Sequence, residues 1–404
     1  MLLAFAIFSE SIYLFLLIKA RESGLINLHN NQHLFWVIIS LSLLFVIFYL
    51  AYFFLNFQKI KVKTIFLVVF VFQLTYLFIP YLSSNDLYSY IFTTRVNGIY
   101  AENPYFVKYD NFPQDPLYSK LETVWAHQTT LYGPLLLHIG GLINTIGQNN
   151  LIFLTIIFKA LFIGVNLINT LLIYQISKSK RAVFLFAANP LVIFELAGNS
   201  HTESLTLLFL LLSFYFFKQR MASFTGFVLS VLIKYYTLIF LPFYLIRLLK
   251  DGLKPLSLSL GLGILITVSI YLPFWVGPQN FNYLMAYYYG EYISPSPFIY
   301  LGQKLLGSYQ LSFQINTAIF LLITLILMYK FMCSRAGFKE FLFYSFLLYW
   351  AYILTKSSLI LPWYLILLIL LGSLCIAFKE YQKYAIISIT FVSIYSLMLY
   401  YFVR

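Results

Sequence analysis

A bundle of membrane-spanning α-helices is the fold class this sequence predicts, and three observations predict it. Apolar residues fill 61% of the 404 positions and charged residues only 10%, where a water-soluble domain runs nearer half and a quarter. Mean hydropathy is +0.85. Apolar runs of about 20 residues, enough to cross a hydrocarbon core of roughly 30 Å, recur from the first residue to the last. Runs of that length imply helices, not a barrel.

The first run, 2–19, has no small-residue cleavage site after it and many more runs follow, so it reads as a retained helix and not a signal peptide. The formal charge of +13 raises nucleic acid as a partner, but its placement argues against one. Lys and Arg fall in short clusters between apolar runs: Lys59, Lys61 and Lys63; Lys178, Lys180 and Arg181; Lys218 and Arg220; Arg247, Lys250 and Lys254; Lys330, Arg335 and Lys339; Lys379 and Lys383. These read as cytoplasmic turns under the positive-inside rule. Cys333 and Cys375 both lie near such turns, so no external disulfide is suggested.

Fixing the clusters inside gives spans near 2–19, 34–57, 64–82, 151–176, 182–198, 202–217, 221–233, 236–249, 256–275, 313–332, 339–355, 359–378 and 383–403, about 13 crossings. The apolar segment 131–146 is assigned as a re-entrant or interfacial helix, because a crossing there would put Lys178, Lys180 and Arg181 outside. The pair of short runs around Lys234 reads as a hairpin that only partly penetrates. The whole chain, 1–404, is then one integral-membrane domain embedded in the bilayer, with long external loops at 83–130 and 276–312. Acids gather outside: the first loop carries Asp86, Glu102, Asp110, Asp115 and Glu122, five of the 13 in the chain, while Glu195, Glu203 and Glu291 sit at other external edges. No Gly-rich phosphate loop follows a strand, so no cytosolic nucleotide cofactor is expected.

Chemistry-bearing residues cluster at that outer face. In Ser83-Ser84-Asn85-Asp86-Leu87-Tyr88-Ser89-Tyr90, Asp86 leaves an apolar run at the edge of a low-dielectric core. A carboxylate there is placed to take a proton from a hydroxyl, or it caps a juxtamembrane helix starting at Leu87. Tyr88, Tyr90, Tyr105 and Tyr132, with the turn formers of Asn103-Pro104-Tyr105 and Tyr132-Gly133-Pro134, line a sugar-sized cleft or form an ordinary aromatic belt. Arg95 either grips a phosphate or pairs with an acid of its own loop.

A second polar group, Glu195-Leu196-Ala197-Gly198-Asn199-Ser200-His201-Thr202-Glu203, is either a hydrogen-bonding wall for a sugar or a capping turn. One His with two carboxylates makes a poor metal site, and no metal is expected. Lys159, Lys234 and Lys356 break the cytoplasmic pattern; Lys234 is favoured as a phosphate partner and Lys356 as a snorkelling side chain. Glu10, midway along the first run, has no role beyond an inward polar contact. Pro362-Trp363-Tyr364 opens a late run, where Trp363 is a belt residue or a donor contact.

Over roughly 80–245 these pieces, with Asn189-Pro190 through Glu203 and Lys234-Tyr235-Tyr236 leading to Pro242, resemble the GT-C class of integral-membrane glycosyltransferases. Within it, the chain is similar to the bacterial polyprenol-phosphomannose-dependent α-mannosyltransferases that extend cell-envelope lipoglycans. The resemblance implies that Asp86 is the catalytic carboxylate of the first loop and that the donor is a polyprenyl-phosphate sugar. It also implies a glycan or glycolipid acceptor at the external face of the plasma membrane, and inversion at the sugar carbon. His201-Thr202-Glu203 departs from the His followed by Asn-Asp of that family, which leaves the role of Glu203 open. On this reading Lys234 and Arg95 meet the donor phosphate, and Tyr88, Tyr90, Tyr105, Tyr132, Glu195, Asn199, His201, Glu203 and Trp363 contact sugar or acceptor. The rival is a transporter or flippase of lipid-linked sugars, which would place polar residues near mid-membrane in two related halves. The polar groups lie at one face and no repeat is visible.

Overall fold

The computed structural model describes residues 1–23, 30–79, 81–121, 127–278 and 295–402, and every regular element there is helical. Glu122, Glu291 and the stretch 279–294 of the second expected loop lie outside the described residues. The chain opens with α1 (Leu2–Ser23) and α2 (Asn31–Phe54). Asn30 caps α2, its side chain accepting from the Gln32 and His33 amides, the role for which Asn is favoured. There follow α3 (Val62–Leu74), α4 (Asp86–Gly98), α5 (Pro134–Gly147), α6 (Leu151–Ser177) and α7 (Lys180–Ala187). After them come α8 (Glu203–Tyr215), α9 (Arg220–Ile233), α10 (Leu241–Lys250) and α11 (Leu253–Tyr271). The chain closes with α12 (Pro297–Leu306), α13 (Tyr309–Cys333), α14 (Phe338–Ala351), α15 (Ile366–Cys375) and α16 (Gln382–Phe402). Two widened π-helical turns interrupt this order, Ile193–Gly198 ahead of α8 and Tyr352–Lys356 at the end of α14.

By length and composition six helices among the described residues can cross a membrane: Leu2–Glu22, Asn31–Phe54, Leu151–Ser177, Leu253–Phe274, Tyr309–Cys333 and Lys379–Tyr401. They make this an integral membrane protein. Lys180–Ala187 with Pro190–Gly198, bent by 50°, adds a seventh if counted as one span. Six or seven helices of spanning length fall short of the expected 13 crossings, for a physical reason. The remaining runs fold into short helices, among them α3, α5, α8 and α9. At 1.5 Å per residue a helix of 13 residues reaches about 20 Å, less than the hydrocarbon core.

Some of these short helices turn their apolar residues to protein, while α3 leaves Leu67 and Phe70 exposed and α5 leaves Leu142 and Ile146 exposed. In α8, Leu205, Leu207, Leu210, Leu211 and Phe214 are all buried. Every residue of α15 is buried, whereas α11 buries only Ser259 and Gly263; a helix apolar all round belongs in a core or in lipid, and the two are one of each. A single cluster of buried side chains includes both Phe5 and Tyr400, so the two ends of the chain share one core.

The segment expected to be re-entrant or interfacial is α5, and it lies against α4 at backbone distance. A Cβ on Gly98 would stand 2.5 Å from Gly141 O, and one on Gly140 would stand 2.4 Å from Thr94 Cγ2. Asn144 Nδ2 fastens the pair, donating to Thr94 Oγ1 at 2.8 Å. Beneath them Leu87, Ile91, Phe92, Leu136, Phe158 and Phe162 form a second buried cluster, so the N-terminus of α4 is set on a packed base.

Candidate active site

Asp86 is the first residue of α4, and the cap position belongs to Asn85, whose side chain makes no capping bond. The Asp86 carboxylate is turned to side chains. Its Oδ2 accepts from the Tyr90 hydroxyl at 3.3 Å, one helical turn on, and stands 3.5 Å from His201 Nδ1. Tyr90 Oη is 3.0 Å from the same ring nitrogen. Three groups that can pass or hold a proton therefore meet at one point.

The far side of His201 faces Glu195, with Nε2 2.9 Å from Oε2 and off the line of a hydrogen bond. Trp363 lies flat on the imidazole, ring centroids 3.9 Å apart. Glu195 also accepts from Asn199 Nδ2 at 2.9 Å and from the Tyr400 hydroxyl of α16. A buried carboxylate needs such donors.

Local backbone explains how one short segment delivers all three residues. The π-helical turn carries Glu195, and Ser200 takes a left-handed φ of 63°, a conformation costing a non-glycine residue on the order of 1–3 kcal/mol. Asn199 Oδ1 accepts from the amides of Leu82, Ser83 and Ser84 at 3.2, 2.9 and 3.2 Å, so it fixes the strand of chain that enters α4. Lys159 Nζ donates to the carbonyls of Ala197 and Gly198 at 2.9 and 3.0 Å. A cation at the carbonyl end of a helical turn is electrostatically favoured.

Lys234 follows the last residue of α9 with an extended backbone. It pairs with the buried Glu203, and its Nζ lies 4.9 Å from the centre of the Tyr364 ring. The motif Tyr132-Gly133-Pro134 is pressed against this point: Gly133 donates to Ile233 O at 3.0 Å, and a Cβ on Gly133 would fall 2.0 Å from Leu232 O. Only glycine admits that approach. Tyr105 supports the motif from behind, its hydroxyl donating to Tyr132 O at 2.9 Å.

A cleft opens at this junction, lined by Asp86, Tyr90, Tyr132, Lys234 and Trp363 together with Tyr235, Tyr236, Tyr349, Tyr352, Ser357, Ser358 and Tyr364. Burial pushes the Asp86 carboxyl above the usual carboxylate range; the His201 and Lys234 charges oppose the rise and Glu203 adds to it. The arrangement supplies a carboxylate of raised basicity, a cation, and an aromatic wall of the kind that accepts a polyhydroxy ligand.

Other expected contact residues stand away from the cleft lining. Arg95 does not reach the cleft: it is fully buried, its Nε donating to Asp115 Oδ2 at 2.8 Å, its Nη1 to Gln148 O and its Nη2 to Asn149 Oδ1 at 2.9 Å. Each of its three nitrogens has a partner, so it braces α4 and the loop at Asp115 against the turn before α6. Glu195, Asn199, His201, Glu203 and Tyr105 are at most 3% exposed and are not among the residues that line the cleft. Tyr88 packs edge-on to Tyr81 and is not a lining residue. Lys356 does not simply snorkel: its Nζ donates to Thr317 Oγ1 at 3.1 Å and lies 3.8 Å from the centre of the Phe313 ring. Glu10 does make its inward contact, accepting from Thr75.

Sequence reading missed Tyr349, Tyr352, Ser357 and Ser358, whose one signal is a Ser pair between two apolar runs. It also missed Tyr400. Among the described residues no group of three or more His, Cys, Asp or Glu is disposed to hold a metal ion.

Helices of spanning length and a carboxylate cleft walled by tyrosines define an integral-membrane protein with a polar site at its helix ends. The chain belongs to the MptA_B family: residues 17–250 match the model described as alpha-(1->6)-mannopyranosyltransferase, N-terminal domain. It is thus a member of a mannosyltransferase family, in accord with the resemblance carried by the Asp86 and Lys234 motifs, which lie inside the matched stretch, while Trp363 and Tyr364 lie beyond it. No curated protein and no solved structure matches the chain.

Proposed function

We propose that the cleft transfers mannose from a polyprenyl-phosphate carrier to a hydroxyl of a glycan or glycolipid at the outer face of the plasma membrane. The observation that carries this reading is that a carboxylate held above its usual pKa range, Asp86, and a cation, Lys234, line one aromatic cleft. Asp86 takes the proton of the acceptor hydroxyl as its oxygen attacks the anomeric carbon. The bond from that carbon to the phosphate oxygen breaks, its electron pair leaves with polyprenyl phosphate, and Lys234 meets the charge. Attack opposite the leaving group inverts the sugar carbon. No nucleotide takes part.

An apolar groove supports a lipid donor. Val228, Val231, Leu232 and Leu238 face Leu260, Ile264 and Val268 of α11 across it, and Tyr235 lines both groove and cleft. Ile264 and Val268 are more than half exposed, as lipid-facing residues are. A prenyl chain lying there brings its phosphate to Lys234. The description of the matched family further suggests an α(1→6) linkage.

The test is sugar transfer by purified protein in detergent, with polyprenyl-phosphate mannose or glucose and candidate acceptors. General-base removal typically costs 10²–10⁴-fold, so Asp86→Asn should fall by about that factor with donor binding retained. Unchanged transfer by the variant would remove Asp86 as the base. Wild-type protein inert with every donor would instead favour a carrier of lipid-linked sugars.

A further inference from the structure

The far end of α9 carries a second site. Arg220 begins this helix and Lys234 follows it, so 14 residues, about 21 Å at 1.5 Å per residue, separate the cleft from a pocket among the turns after α8, after α10 and before α14. Five cations line that pocket, Lys218, Arg220, Arg247, Lys250 and Arg335, against one acid, Asp251. The acid is already engaged: Arg220 Nη2 donates to Asp251 Oδ1 at 2.9 Å.

Arg247 is the unusual member. It is 2% exposed, its guanidinium carbon lies 3.4 Å from the centre of the Phe217 ring, and Nη1 donates to Ser223 Oγ at 3.2 Å. Its Nε and Nη2 are buried without a hydrogen-bond partner among the described residues. A buried cation with unfilled donors is costly, and an anion with acceptor oxygens would supply both the hydrogen bonds and the charge. Lys218 and Arg335, both exposed at the rim, make no ion pair with any described residue. Positive-inside topology accounts for cations in a turn, but not for one sealed behind an aromatic ring.

We propose that this pocket binds a phosphate group, with Arg247 as its buried anchor and Lys218 and Arg335 as its rim. A guanidinium fork offering two donors suits a tetrahedral oxyanion, and basic pockets between helices on the cytoplasmic side take anionic headgroups. The phosphate belongs either to an anionic phospholipid or to free inorganic phosphate.

Both sources are tested on the full chain in neutral detergent. One arm follows the thermal midpoint as inorganic phosphate replaces chloride at constant ionic strength. The other follows retention of phosphatidylglycerol against phosphatidylcholine by native mass spectrometry. Wild type should show a phosphate-dependent rise in midpoint, a preference for phosphatidylglycerol, or both. A lipid preference that phosphate competes away assigns the headgroup; a midpoint rise with no lipid preference assigns free phosphate. Arg247→Met and the double variant Lys218→Gln, Arg335→Gln should each weaken binding at least five-fold. If Arg247→Met fails to fold, the rim variant decides, since its residues are exposed. The exposed pair Lys61→Gln, Lys63→Gln should bind as wild type. Absence of both signals in wild type, equal binding by the rim variant, or equal loss in the Lys61, Lys63 control would each overturn the assignment.

Discussion

Asp86 sits between opposing influences, and its neighbours make them separable. Burial and Glu203 disfavour its charged form, while Lys234 and His201 favour it. Because the proposed base works as the carboxylate, activity should fall as pH drops through a value above the ordinary Asp range near 3.9. Glu203→Gln removes a like charge, which lowers the Asp86 pKa, so the acid limb of kcat/KM should move to lower pH. Lys234→Met removes the favourable charge and leaves Glu203 unpaired, so the limb should move up; shifts of about half to one pH unit are expected, one unit being ~1.4 kcal/mol. Profiles of the two variants that move together would mean that the titrating group is not Asp86. This residue-scale site was partly legible in the sequence. Asp86, Tyr90, Tyr132, Lys234 and Trp363 could be picked out as polar or aromatic groups at helix ends, and the fold brings them together. Arg95 is expected at the donor phosphate on the strength of the resemblance, although a lone cation among loop acids reads equally as ligand and as brace; in the fold Asp115, Gln148 and Asn149 hold it instead. Tyr400 gave no signal at all, because nothing in a C-terminal apolar run announces a partnership with Glu195.

At the scale of elements, the cleft depends on backbone approaches that only small residues permit. The contact of Gly133 with the end of α9 holds Tyr132 beside Lys234, and a methyl group there meets Leu232 O at 2.0 Å. Overpacking of this kind costs roughly 1–3 kcal/mol. Gly133→Ala should lower the thermal midpoint in detergent and raise the KM for donor, since relief displaces the neighbouring Tyr132, which lines the cleft with Lys234. Gly164→Ala is the matched control: a Cβ on Gly164, inside α6, has nothing within 4 Å, so it should leave KM unchanged and stabilise by up to about 1 kcal/mol. A Gly133→Ala protein with wild-type KM would show that this approach does not position the site. Element lengths were the least legible feature. Hydropathy scores an apolar residue the same whether it meets lipid or another helix, so the protein-buried α8 and α15 read like the lipid-exposed α11. The π-helical turns at Ile193–Gly198 and Tyr352–Lys356, which present Glu195 and Tyr352, have no periodic signature to find.

For the whole molecule, the arrangement about α6 decides which side of the membrane the chemistry faces. This helix has 27 residues, about 40 Å at 1.5 Å per residue, more than a bilayer core needs. At its start stand Gln148 and Asn149, to which Arg95 ties α4, the helix that begins at Asp86. Past its end come Lys178, Lys180 and Arg181, the cluster that the positive-inside rule assigns to the cytoplasm. If α6 crosses, the cleft and the cluster lie on opposite sides, whatever the short helices do. A reporter active only in the cytoplasm, fused after Lys180, should therefore be active, and the same reporter near Asn111 should be silent. A reporter that requires export should give the reverse pattern. Two fusions active on the same side would mean that α6 does not separate these points, and the outer-face site would have to be withdrawn even if transfer by the purified protein were intact.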